Sequence, residues 1–174
     1  MSEVVLPVLS VEQNQEGIRE ADASARRRYP KILHQPGAEF NEVINFMMAD
    51  SYMQPHLHPG VEKIEKIYLL EGKLATLFFD NKGDVTECTV LEKGGIEMIE
   101  VPAFTWHTYV ILTPAAITYE TMMGKYDPQT WKDFFTIAPG ENTDRSEEYL
   151  ASLKREALDR IADGNIRKKT TYTD

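Results

Sequence analysis

Two histidines, His56 and His58, stand one residue apart between Pro55 and Pro59. In an extended segment positions i and i+2 face the same way, so both imidazoles can reach one metal ion. The flanking prolines stiffen the pair and disfavour a helix. A lone His-x-His is common by chance and decides little. Glu62 and Glu65 follow at the start of a β-rich run, and either can add a carboxylate. His107 lies on a second β-like segment after Pro102; taken singly it reads as a hydrogen-bonded core histidine. Taken jointly, three imidazoles and a carboxylate suit Fe(II), Mn, Ni, Zn or Co. On a six-coordinate ion they leave one or two positions open to water, oxygen or a bidentate substrate.

Other residues can join such a site. By period two, His107, Tyr109 and Ile111 share a face, which makes Tyr109 the first candidate acid or base. Lys63, two before Glu65, reads either as a surface lysine or as a cavity lysine meeting an anionic substrate. Gln54 alternates with His56 and His58 and can line the same pocket. His34, before Gln35-Pro36-Gly37, is a rival fourth imidazole. Glu120 lies in a strand of mixed character and can reach inward. Cys88 reads as a small buried residue rather than a reactive thiol.

These residues need a β scaffold. Residues 10 to about 28 read as a helix: Ser10 and Gln13 form a capping box, Arg26 to Arg28 sit at the far end, and Tyr29-Pro30 stops it. Gly17 is its weak point. From about 40 to 123 the pattern is of short strands and turns. Runs at 42–48, 64–79 (broken at Glu71-Gly72), 85–91, 96–101, 106–112 and 116–123 read as strands, with a hairpin loop at 80–84. Strands at this spacing predict a closed antiparallel sandwich or barrel. Asn142-Thr143-Asp144 offers caps for a helix over 146 to about 161, ended by Asp163-Gly164-Asn165. The expected organisation is therefore a helix and lead-in over 1–39, a β-barrel core over 40–125, and an extension over 126–174 whose helix packs on the barrel, all in one domain.

The bulk numbers narrow the functions. A chain of 174 residues can form a core without a disulfide or a structural metal. A net charge of −9 repels phosphate backbones, so nucleic acid is excluded as a partner. The basic runs Arg26-Arg27-Arg28 with Lys31, and Arg167-Lys168-Lys169, read as a solvated helix end and a tail, or alternatively as a local anion site. One cysteine forbids an internal disulfide. No signal peptide or membrane-length apolar run is visible, and the expected location is cytoplasmic.

The ordered residues resemble the cupin superfamily. His56-Leu57-His58, then Glu65, then Gly72 match its first motif, and the distance to Gly72 favours Glu65 over Glu62 as the carboxylate. Pro102 to His107 matches the second motif, except that Phe104 stands where the family has glycine. A non-glycine residue there predicts a turn that avoids positive φ. The segments QPHLHP, GKLATLFFD, VPAFTWHT and YDPQTWKDF, between about 26 and 139, are similar to the WbuC-like cupin fold metalloproteins.

The resemblance implies a mainly β, cupin-type antiparallel β-barrel (jelly roll) with an N-terminal and a C-terminal helix. It also implies a homodimer and one divalent metal ion (Fe, Zn, Mn or Ni) on His56, His58, Glu65 and His107. Its activity is then that of an isomerase, epimerase or lyase on a small sugar or hydroxy-carbonyl compound, with Tyr109 and Lys63 catalytic. The alternatives are a non-catalytic sugar- or carboxylate-binding module and an iron dioxygenase, since this fold hosts many functions.

Overall fold

The computed structural model describes residues 4–168; Lys169, the end of the second basic run, lies outside the described residues. Helix α1 (Val11–Ala23) begins with the expected capping box. The Gln13 amide donates to Ser10 Oγ at 3.1 Å, and the Ser10 amide donates to Gln13 Oε1 at 2.8 Å. Gly17 is there because α1 lies close on the sheet: a β-carbon at that position would collide with the Phe46 ring at its Cε1.

The helix ends earlier than its sequence suggests. It stops at Ala23, so Arg26 to Arg28 do not close its last turn. Arg27 takes a left-handed backbone (φ 56°), and Arg28 opens strand β1 (Arg28–Ile32). The competing pull is sheet pairing, since all five residues of β1 are in register with β2 (Phe40–Met48). Pro30 is tolerated because β1 is an edge strand.

The remaining strands are β3 (His56–Leu57), β4 (Glu65–Glu71), β5 (Lys73–Phe79), β6 (Val85–Glu92), β7 (Met98–Val101), β8 (His107–Ile111), β9 (Ala115–Met123) and β10 (Asp133–Phe134). They form two five-stranded antiparallel sheets, ordered β1-β2-β9-β4-β7 and β10-β3-β8-β5-β6. This is the jelly-roll arrangement of a mainly β chain. The expected closure is not present: among the described residues no strand pairs with both sheets, so the two layers face each other as a sandwich. Between β4 and β5 the chain turns at Gly72 (φ 84°), where a β-carbon would collide with the carbonyl oxygen of Ala115.

Three apolar layers hold the fold. Met47, Ile67, Leu69, Leu74, Phe78, Leu91, Ile99 and Ile111 fill the space between the sheets. Helix α1 covers the outer face of the first sheet through Ala21 against Phe46 and Ile117. Helix α2 (Ser146–Ala162) covers the outer face of the second through Leu150, Leu153 and Ala157, against Ala75, Leu77 and Val110. Its N-cap is Arg145, without a side-chain cap, rather than one of the three preceding candidates. Thr143 contributes there through its backbone carbonyl, which accepts from Ser146. Gly164 ends the helix with φ 70°. No helix among the described residues is long and apolar enough to cross a membrane.

Candidate metal centre

The short strand β3 lies between β10 and β8, with His56 in register with His107. His58 follows immediately after it. Glu65 opens β4 in the opposite sheet. Three imidazoles from one sheet thus meet one carboxylate from the other, at one end of the sandwich. The ring centroids of His56 lie 5.1 Å from His58 and 4.5 Å from His107. One ligand atom from each of His56, His58, Glu65 and His107 falls within 4.8 Å of all the others, and all four residues are buried.

The three rings are held alike. His56 Nδ1 faces the Gln54 carbonyl at 3.0 Å, His58 Nδ1 the Trp131 carbonyl at 2.8 Å, and His107 Nδ1 the Thr105 carbonyl at 2.8 Å. A carbonyl only accepts, so each Nδ1 must carry the hydrogen. The neutral ring then presents a bare Nε2 lone pair. Two of those, His56 Nε2 and His58 Nε2, are buried without a hydrogen-bond partner among the described residues. Native interiors rarely leave such atoms orphaned, and a cation between them accounts for both. His107 Nε2 lies 3.0 Å from Glu65 Oε2, and His58 Nε2 3.5 Å from the same oxygen. The donor set therefore fits a divalent ion.

Burial and neighbouring charge set the protonation. Burial alone would raise the Glu65 carboxyl, but the closeness of the His107 and His58 rings outweighs it and holds Glu65 well below the ordinary carboxylate range. Burial pushes His56 well below the usual imidazole value, with Lys132 and the other two rings adding to the effect, so it stays neutral.

A cavity of about 370 Å³ opens onto this group, and its wall includes Arg28, His58, Glu65, Tyr109, Glu120 and Lys132. The inward face expected for β8 is present: Tyr109 is buried, and its hydroxyl donates to Glu120 Oε1 at 3.2 Å. Glu120 also accepts from Thr118 Oγ1 at 2.7 Å and from Asn45 Nδ2 at 2.7 Å. Burial, followed by repulsion from Glu65, pushes the Glu120 carboxyl up to about 7. Burial likewise pushes the Tyr109 phenol up, so it remains a donor.

The other residues singled out from the sequence fall elsewhere. Glu62 is exposed and outside the four-residue group. Lys63 is buried, but its Nζ donates to the Thr130 carbonyl at 2.8 Å and sits 5.1 Å from the centre of the Trp131 ring. It is not part of the cavity wall. The Gln54 side chain donates to the Phe135 and Ala138 carbonyls, and it is the backbone of Gln54 that supports His56. His34 reaches the cavity wall, where its Nδ1 accepts from the Glu42 amide, outside the ligand group. Cys88 is buried within β6, and burial raises its thiol to about 11.

Phe104 corrects an expectation. It does adopt positive φ, at 59°. The left-handed conformation costs a residue with a β-carbon about 1–2 kcal/mol. The turn offsets this by letting the Phe104 amide donate to the His58 carbonyl at 3.0 Å, which ties the two motifs together. The side chain escapes into solvent, being 56% exposed.

Arg28 and Lys132 were not singled out as cavity residues by the sequence. Arg28 looked like the end of a helix, and Lys132 lay inside the segment YDPQTWKDF without being weighed on its own.

Comparison with known proteins agrees with this architecture. A family model described as a domain of unknown function (DUF6016) matches residues 9–91. No curated protein matches. Among solved structures, a protein from Shewanella oneidensis is similar over 89% of this chain and 98% of its own, at 9% identity and a TM-score of 0.56. Oxalate oxidase in complex with the substrate analogue glycolate is similar over 64% of this chain, at 12% identity and a TM-score of 0.50. The match spans 57% of the oxalate oxidase chain. A cupin superfamily protein from Desulfitobacterium hafniense is similar over 55% of this chain and 76% of its own, at 11% identity and a TM-score of 0.45.

Proposed function

We propose that this chain, whose fold is that of the cupins, binds one divalent metal ion through His56, His58, Glu65 and His107. With it, the protein acts on a small sugar or hydroxy-carbonyl compound as an isomerase, epimerase or lyase. The observation that carries this reading is the common orientation of the three imidazoles. Each Nδ1 is spent on a backbone carbonyl, which leaves each Nε2 to face the same point as the Glu65 carboxylate. Iron, zinc, manganese and nickel all accept such donors.

A bound divalent ion supplies Lewis-acid polarisation of a carbonyl or hydroxyl oxygen. The proton chemistry belongs to the chain. An acid–base group works best when its pKa lies near the ambient pH, and Glu120, at about 7, meets that condition. Tyr109 donates to Glu120 and shares the cavity wall, so the pair can pass a proton to or from a bound carbon or oxygen. Lys63 acts at a distance by anchoring the Thr130 carbonyl, one residue from the carbonyl that orients His58. A WbuC-like kinship, a homodimer and a cytoplasmic location belong to the same proposal.

The test begins with metal. The chain is stripped, reloaded, and its metal content measured by plasma mass spectrometry. One ion per chain is expected for the wild type, and less than about a tenth of that for His58→Ala. Substoichiometric metal in the reloaded wild type sinks the metal centre. The loaded protein is then incubated in D2O with dihydroxyacetone and with a panel of aldoses and ketoses. Deuterium entering the carbon beside the carbonyl, and lost in Glu120→Gln, supports the enzyme. Full metal loading without exchange on any compound favours the binding module.

A further inference from the structure

We propose that the cavity over the metal centre takes an anion: a small sugar acid or hydroxycarboxylate, with its carboxylate on Lys132 and an oxygen turned to the metal. This rests on the metal reading above and adds the charge of the ligand to it.

By formal charge the cavity wall balances, with Arg26, Arg28 and Lys132 against Glu65, Glu120 and Glu141, but the pairing among them is uneven. Arg26 and Arg28 are both committed to Glu141, at 3.1 Å and 2.6 Å, and Arg28 also donates to the Tyr52 carbonyl at 2.9 Å. Two guanidiniums therefore share one carboxylate. Glu65 is turned to His107 and His58. Glu120 already receives donors from Asn45, Thr118 and Tyr109. Every carboxylate named here is engaged. A divalent ion on the three neutral rings would bring two charges against the single one of Glu65.

Lys132 is the exception among the cations. It is half-buried in the cavity wall, within electrostatic reach of Glu65 and Glu120, yet it makes no hydrogen bond or ion pair with any described residue. It stands directly before β10, next to Trp131, whose carbonyl orients His58. The same loop thus fixes a metal ligand and holds an uncommitted ammonium beside it. A partly buried charge without a partner is costly, and a carboxylate ligand would form a charge-assisted hydrogen bond there. A neutral sugar would leave the ammonium unpaired, which penalises binding. The volume of about 370 Å³ lies toward the small end of ligand sites. A carboxylate suits a single ammonium better than a phosphate does, because the nearby guanidinium forks that would grip phosphate oxygens are already occupied.

The test is calorimetric titration of the zinc-loaded full chain with glucuronate, glucose and glucose 6-phosphate, with metal content measured in parallel. Glucuronate is expected to bind at least about tenfold tighter than glucose. Lys132→Met should remove most of that preference with the metal content unchanged, and Lys132→Arg should retain it. A wild type with no preference for glucuronate, whether because neither sugar binds or because both bind alike, overturns the proposal. So does a preference that survives Lys132→Met, which would place the carboxylate on the metal alone. Tighter binding of glucose 6-phosphate than of glucuronate overturns the carboxylate assignment. A chain that takes up no zinc overturns the metal centre itself, a separate and distinguishable outcome.

Discussion

Along β8 the inward face passes from His107 through Tyr109 to Ile111 in two pleats. At one end of the sandwich the sheets meet through Leu74, Leu91, Ile99 and Ile111, whose burial is favourable wherever they pack well. At the other they meet through three histidines and a glutamate, whose burial is favourable only if each polar atom finds a partner. The first end is tolerant chemically and strict in volume. The second is tolerant of open space and strict about atoms, and two imidazole nitrogens there have no hydrogen-bond partner among the described residues. The difference teaches where each end gets its stability: one from the chain alone, the other, on the function proposed above, from a bound cation.

Substitutions at the two ends should therefore separate metal binding from folding. The largest effect is expected from His56→Ala, which should weaken metal binding by roughly a hundredfold or more. Its metal-free form should melt close to the metal-free wild type, because the removed ring carries a buried nitrogen with no hydrogen-bond partner among the described residues; a large loss of metal-free stability would break the contrast. Next, Ile111→Ala should destabilise the fold by about 2–5 kcal/mol in urea titration, with one metal ion per chain still bound.

Glu120 tests the polar end by pH. Its folded pKa of about 7 is raised above the ordinary carboxylate value, so the folded state holds the proton more tightly than the unfolded state. Its stabilising contribution is full below the ordinary carboxylate value and is lost as pH rises toward 7. Chelator-treated wild type should lose stability from about pH 5 to 7.5, on the order of 2 kcal/mol, and Glu120→Gln should flatten that decline. Equal slopes in both proteins would remove Glu120 from the account.

The smallest effect is expected from Lys63→Met, which keeps the apolar stem against Trp131 but frees the Thr130 carbonyl. Metal affinity should fall about tenfold, as for other supports of a ligand's partner, with the fold intact.

Much of this contrast was visible in the sequence, though unevenly. The ligand rings were legible because period-two spacing and proline brackets are local signals. The capping box at Ser10 and the 80–84 turn were legible for the same reason; Asp80 Oδ1 accepts from the Lys82 and Asp84 amides. The supports of the rings were not legible. The Trp131 carbonyl that orients His58 lies 73 residues away, and a backbone oxygen leaves no mark on residue type. Strand β10 has two residues, both exposed, and so has no pattern to find. Strand β1 was hidden behind a basic run that also suits a helix end. Phe104 misled because the hydrogen bond that compensates its backbone comes from another segment.

The loop before β10 also gives the molecule an optical property. The indole of Trp131 stands edge-on to His58, with ring centroids 6.1 Å apart, while Trp106, the other tryptophan of the chain, packs against Phe135 at 4.7 Å. Emission from Trp131 should be quenched when nickel or iron(II) occupies the adjacent imidazoles and recover with a chelator, whereas zinc should leave it bright. The Trp131→Phe variant would isolate the contribution of Trp106. The protein thus carries its own lamp beside the ring it helps to hold, and occupancy of the centre can be read in solution without a label.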